Sequence, residues 1–130
     1  MNIINNFKMF SIVVSDMKKS KEFYADTLGL AVSKDYREDD NNWWVTVDFP
    51  NGETSLTMSR AANYGMSEAA KPGIISIYFG TSDIEAARQA LSDKGITVSG
   101  IQDDLFGPGS GAKFITLSDP DGNNVQVYQV

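Results

Sequence analysis

Neither cysteine nor histidine occurs in these 130 residues. Without cysteine there is no disulfide, no thiolate zinc site and no cysteine nucleophile. Without histidine the chain lacks the commonest metal ligand and the commonest general base near neutral pH. Basic residues are also scarce: 11 Lys and Arg against 17 Asp and Glu give a formal net charge of -6. A phosphate-backbone partner needs clustered cations, so no nucleic acid is expected. An acidic surface would instead attract a cationic small molecule. No run approaches the roughly 20 apolar residues of a membrane span, and Met1 to Lys8 show no basic leader followed by an apolar run. A cytoplasmic protein with no membrane partner is expected.

What the chain does have is enough apolar residue, 42%, for one globular unit that buries roughly two-thirds of its unfolded surface. It also has an internal repeat. Ser15-Asp16-Met17 opens an amphipathic stretch ending at Leu28-Gly29, and Ser82-Asp83-Ile84 opens another ending at Lys94-Gly95. Pro50-Asn51-Gly52 is answered by Pro120-Asp121-Gly122, and the offsets are 67 for the aspartates, 66 for the glycines and 70 for the prolines. A near-constant shift marks a repeated supersecondary unit.

Alternation predicts a strand over 10–14, with Phe10, Ile12 and Val14 on one face and Met9, Ser11 and Val13 on the other. Ser15 or Asp16 can cap the helix that follows, where Met17, Phe23, Tyr24 and Leu28 recur at near-helical spacing before Gly29. Strands are expected over 31–33, 42–49 and 54–59, joined by an acidic turn over 37–42 and a reversal at Pro50-Asn51-Gly52. The second half repeats this order. A strand over 74–79 leads to a helix starting at Ser82-Asp83-Ile84-Glu85, which has capping-box spacing, and strands follow over 96–99, 112–118 and 123–130. A Gly- and Pro-rich loop at 103–111 interrupts them. The expected organisation is one α+β domain over 1–130, made of module one (7–60) and module two (73–130) with a linker at 61–72.

Val14-Ser15-Asp16-Met17, Phe23-Tyr24 and Leu28-Gly29-Leu30, with Ser118-Asp119-Pro120-Asp121-Gly122-Asn123 and Val125-Gln126-Val127, resemble the vicinal oxygen chelate superfamily of glyoxalases, bleomycin resistance proteins and extradiol dioxygenases. The resemblance implies two paired β-α-β-β-β modules whose eight strands form a cup around a ligand, often in a symmetric dimer. Its metal-dependent members place one ligand near the start of each module's first strand and one on each last strand. Carried onto this chain, those positions are Met9, Ser76 and Gln126, with the fourth at Leu56 by direct counting from Gly52 or at Thr57 by strand parity. Parity favours Thr57, because it keeps Leu56 and Met58 on the core face. The quartet holds no carboxylate and no imidazole, so no metal and no other cofactor is expected.

With that parity, module one turns Met9, Ser11, Val13, Trp44, Thr46 and Thr57 to the ligand, while Val45, Val47 and Phe49 face the helix. Module two turns Ser76, Tyr78, Phe114, Thr116 and Gln126 the same way, with Tyr128 a further candidate. Aromatic rings with a few hydroxyls and one amide suit a flat or amphipathic organic ligand. The expected function is metal-independent binding or sequestration of such a ligand by a homodimer of the bleomycin-resistance kind, with no catalytic residue. The alternative is a glyoxalase- or dioxygenase-type metalloenzyme (lyase, isomerase or oxygenase) using Gln126 with Asp48 or Glu53. Asp119, Asp121 and Asn123 read as turn chemistry, and Lys18, Lys19 and Lys21 as a solvated helix face.

Overall fold

The computed structural model describes residues 3–4, 6–50, 52–67 and 76–130. The chain divides into two compact units, residues 1–73 and 74–130. The fold is α+β, with one four-stranded sheet and one three-stranded sheet.

In the first unit the order is β1 (Met9–Val13), α1 (Met17–Lys21), β2 (Ala31–Arg37), β3 (Trp43–Asp48) and β4 (Ser55–Ser59). The sheet order is β1-β4-β3-β2, with β1 parallel to β4 and the other pairs antiparallel. Asp16 caps α1, its carboxylate accepting from the Lys19 N–H at 3.2 Å. The helix then widens into a π-helical segment, Glu22–Thr27. There the Leu28 N–H reaches the Phe23 carbonyl at 2.9 Å, five residues back. This widening carries both Phe23 and Tyr24 into the core, where their rings meet edge to face at 5.0 Å. Gly29, at φ 79, then turns the chain out of the helix, a conformation glycine adopts without a Cβ clash.

The buried apolar side chains follow the expected parity. Val45, Val47, Leu56 and Met58 are fully buried, and Ile12 and Val14 nearly so. Each such side chain contributes on the order of 1.5–3 kcal/mol by leaving water. Two features of this unit differ from expectation. β2 runs to Arg37 because its pairing with β3 continues from Ala31↔Asp48 to Arg37↔Trp43, although every β2 residue is exposed and shows no alternation. Lys21 is not simply solvated. It pairs with Asp35 of β2 at 2.6 Å, and that bond, with a second from the Trp43 indole, holds the Asp35 carboxyl below its ordinary value.

In the second unit the order is β5 (Ser76–Thr81), α2 (Ile84–Asp93), β6 (Phe114–Ser118) and β7 (Asn124–Gln129). β7 lies between parallel β5 and antiparallel β6. Ile77, Ile115, Leu117, Val125 and Val127 are buried, again as parity requires. The cap of α2 is Asp83, which accepts from the Ala86 N–H at 3.0 Å. The Ser82/Glu85 capping box is therefore out of register by one residue. The Ile84 N–H is met instead by the Gln129 side chain at 2.9 Å. Ile74 and Ile75, the linker residues 68–72 and Asn51 of the reversal lie outside the described residues.

The expected strand over 96–99 does not form, so the described residues contain seven strands rather than eight. Ser99 takes over the ladder at a single point: its N–H donates to the Thr116 carbonyl and its hydroxyl accepts the Thr116 N–H. Gln102 and Phe114 then exchange both backbone bonds at 2.9 Å. A side chain has replaced a backbone acceptor, so the segment is tethered at two points without regular pairing.

The Asp119–Asn123 turn is structural. Asp119 Oδ1 accepts the N–H groups of Asp121 and Asn123 at 2.9 Å, and Oδ2 accepts the Asn123 side-chain amide at 2.8 Å. Both Asp119 and Asn123 are buried. Asp119→Ala strands these donors and lowers unfolding free energy by about 3 kcal/mol, measured by urea denaturation. A loss under about 0.5 kcal/mol, the size of an ordinary surface change, contradicts the structural role.

Candidate functional site

Each sheet has one face against its helix and a second face carrying the residues singled out from the sequence. On module one, β4 supplies the centre. Ser11, Thr57 and Thr46 lie in one register row across β1, β4 and β3. The Thr46 and Thr57 hydroxyls are 2.9 Å apart, and Thr57 Oγ1 donates to Met9 Sδ at 2.8 Å. The structure therefore brings Met9, Thr46 and Thr57 into contact through one chain of polar atoms. Met9 is 52% exposed, while Thr46 and Thr57 are buried. Ser11 is exposed and Val13 half-buried on the same parity.

Trp43 and Trp44 point opposite ways, as adjacent strand residues must. Trp43 is held on the helix side by its indole bond to Asp35 and by the Arg37 guanidinium 4.2 Å above its ring. Trp44 meets the Tyr64 ring edge to face, with centroids 5.0 Å apart at 85°. Tyr64, placed in the linker, was not among the residues singled out from the sequence. Residues Ala61–Tyr64 form a 3-10 turn in which Ala61 is buried. The Tyr64 hydroxyl donates to the carbonyls of Ile12 at 3.1 Å and Thr57 at 3.2 Å, so it ties β1 to β4 beneath Trp44. Burial pushes this phenol up to about 12, against the opposing pull of hydrogen bonds with Ser11 and Ser59.

On module two the corresponding row is Tyr78, Gln126 and Thr116 across β5, β7 and β6. The neighbouring row is Gly80, Tyr128 and Phe114. Ser76 is exposed and pairs with Asn124, two residues before Gln126, as Met9 pairs with Ser55, two residues before Thr57. Tyr78 is 54% exposed. Phe106, from the Gly- and Pro-rich loop, packs edge-on against Tyr128 at 5.9 Å. It is the second residue the sequence did not reveal, since a lone loop aromatic carries no periodic signal. Thr57 holds the same place between its parallel and antiparallel partners as Gln126, whereas Leu56 is in the core.

The positions carried over from the metal-dependent relatives hold a thioether and a hydroxyl on the first unit, Met9 and Thr57, and a hydroxyl and an amide on the second, Ser76 and Gln126. Those donors do not fit a divalent cation: hard divalent ions take carboxylates, and zinc takes imidazole, thiolate or carboxylate. The Thr57 hydroxyl is moreover already engaged with Met9 and Thr46. Asp48 does present a carboxylate on the module one face, where it accepts from Ser33 at 3.1 Å and Ser55 at 2.5 Å. Glu53 is exposed in the turn after β3. Among the described residues no three His, Cys, Asp or Glu side chains cluster at metal-binding distance.

The model of the Glyoxalase/Bleomycin resistance protein/Dioxygenase superfamily matches residues 6–127. The chain belongs to this superfamily. TnmS3, an antibiotic binding protein from Streptomyces sp. CB03234, is similar at 26% identity and TM-score 0.80, covering 99% of this chain and 98% of its own. A superfamily member from Sphaerobacter thermophilus is similar at 29% identity and TM-score 0.80, covering 99% and 100%. A lactoylglutathione lyase from Agrobacterium tumefaciens shares the fold at 17% identity and TM-score 0.76, covering 98% and 96%.

Because the folded state raises the Tyr64 pKa, its share of stability is fully present below pH 10 and is lost as pH rises toward 12. Tyr64→Phe removes that share. Unfolding measured across this window shows a steeper fall for the natural protein than for Tyr64→Phe. Parallel curves contradict the burial of this hydroxyl.

Proposed function

We propose that this superfamily member binds a small planar or amphipathic organic molecule without a metal, using the non-helix faces of its two modules. The observation that carries the reading is the chemistry of those faces. The positions where metal-dependent relatives need charged or imidazole ligands hold a thioether, hydroxyls and an amide. Around them stand Trp44 and Tyr64 on module one and Tyr78, Phe114 and Tyr128 on module two. Rings supply flat contact area, and the hydroxyls and amide fix orientation. The similarity to TnmS3, described as an antibiotic binding protein, supports a sequestering role. A homodimer acting in the cytoplasm is part of the same reading, as is a ligand with cationic character, given the net charge of -6.

A second reading, a lyase, isomerase or oxygenase with a metal, rests on Asp48, a carboxylate on the module one face. The lyase from Agrobacterium supports only the fold at its level of identity.

Tryptophan fluorescence separates the two. The chain has two tryptophans, so Trp43→Phe leaves Trp44 as the sole reporter. An aromatic ligand found by thermal-shift screening raises apparent stability by mass action. It quenches Trp43→Phe in the presence of EDTA, and Trp44→Leu weakens its binding by about tenfold, the value of one good ring contact. A ligand that binds only after divalent metal is added contradicts the reading.

A further inference from the structure

Among the described residues, two buried side-chain polar atoms have no hydrogen-bond partner: Ser20 Oγ and Gln126 Oε1. Ser20 lies within α1. Gln126 lies at the middle of β7, on the same face as the aromatic residues of module two. Tyr78 and Thr116 stand on either side of it in register, and neither hydroxyl donates to the amide oxygen. A buried acceptor left unpaired costs stability, and such atoms in folded proteins are few. The rings beside it are not closed over by their own module. Tyr78 is 54% exposed and Phe106 is 70% exposed, although Phe106 is seated on Tyr128. The Phe106 loop is itself fixed at its base, where Asp104 bridges Ala112 and Gln102 bridges Phe114.

We propose that Gln126 Oε1 is the polar anchor of this face and selects a planar aromatic ligand that carries an N–H or O–H donor on its ring edge. The inference deepens the reading above and rests on it. The rings accept any flat molecule of suitable size. The unpaired oxygen adds discrimination, because a ligand with a donor satisfies it, while the same ligand capped by a methyl group keeps it dry and unpaired. Selection of this kind is strong when a buried site group is left without its partner. The corresponding place in module one gives no such selection, since the Thr57 hydroxyl is already satisfied by Thr46 and Met9.

The test uses two matched probe pairs, carbazole with N-methylcarbazole and 2-naphthol with 2-methoxynaphthalene, in equilibrium dialysis against the full chain with EDTA present. The natural protein binds the donor member of each pair about tenfold more tightly, the yield of one hydrogen bond to a buried acceptor. Gln126→Met keeps the length of the side chain and removes the amide, and brings each pair to equal affinity. Gln126→Glu retains the acceptor and keeps the order. A second readout needs no variant: at saturation carbazole shifts the Gln126 side-chain amide resonances in nitrogen-15 spectra further than N-methylcarbazole, which acts on them through its ring alone. Equal affinities within each pair for the natural protein overturn the inference while leaving aromatic binding intact. So does a donor preference that persists in folded Gln126→Met, or Gln126 amide shifts of equal size with both carbazoles at saturation. Failure of all four probes to bind overturns the inference together with the reading it rests on.

Discussion

The constraint on which the rest depends is that each sheet sets its apolar strand residues on one side, against its helix. In module one that side is filled by Val45, Val47, Leu56 and Met58, all fully buried, and in module two by Ile115, Val125 and Val127. Because side chains alternate along a strand, fixing these residues inward fixes their neighbours outward, and a slip of one residue would exchange the two sets. Trp44, Thr46, Thr57, Tyr78 and Gln126 are therefore placed on the second face by the core, not by any interaction of their own. The polar contacts between them, such as Thr46 with Thr57, refine an arrangement that burial has already chosen.

The same logic explains what was legible in the sequence. Strands with one dry face carry a period of two, so β1, β3, β4, β6 and β7 and their orientations could be read directly. The helix starts were marked by Asp16 and Asp83, and the Asp119–Asn123 turn by residues whose side chains bond to their own backbone. Strand β2 was cut short because all seven of its residues are exposed, leaving no alternation to follow. The segment at 96–99 misled in the opposite sense: its β-branched residues suit a strand, yet Ser99 bonds to β6 through its side chain.

For a different reason, Tyr64 and Phe106 were not singled out. Each meets a strand residue of one face through a ring contact, Tyr64 with Trp44 and Phe106 with Tyr128. Neither lies in a periodic element, and no local pattern separates them from other loop aromatics. The parity argument thus found the strand residues of the two faces and missed the loop residues that border them. The repeat also concealed a chemical difference. Equivalent strand positions hold Thr57, whose hydroxyl is satisfied within its own module, and Gln126, whose oxygen is not.

Superfamily membership fixes the fold and leaves chemistry to the residues on the two faces. The central claim is that those faces are built for an organic ligand and not for a metal ion. It is tested most directly by dialysing the metal-free protein separately against excess Ni²⁺, Zn²⁺, Mn²⁺ and Fe²⁺, removing unbound ion and measuring what remains bound. The account predicts substoichiometric retention of every ion. Retention of one equivalent per chain, abolished by Asp48→Ala or Gln126→Met, would contradict it.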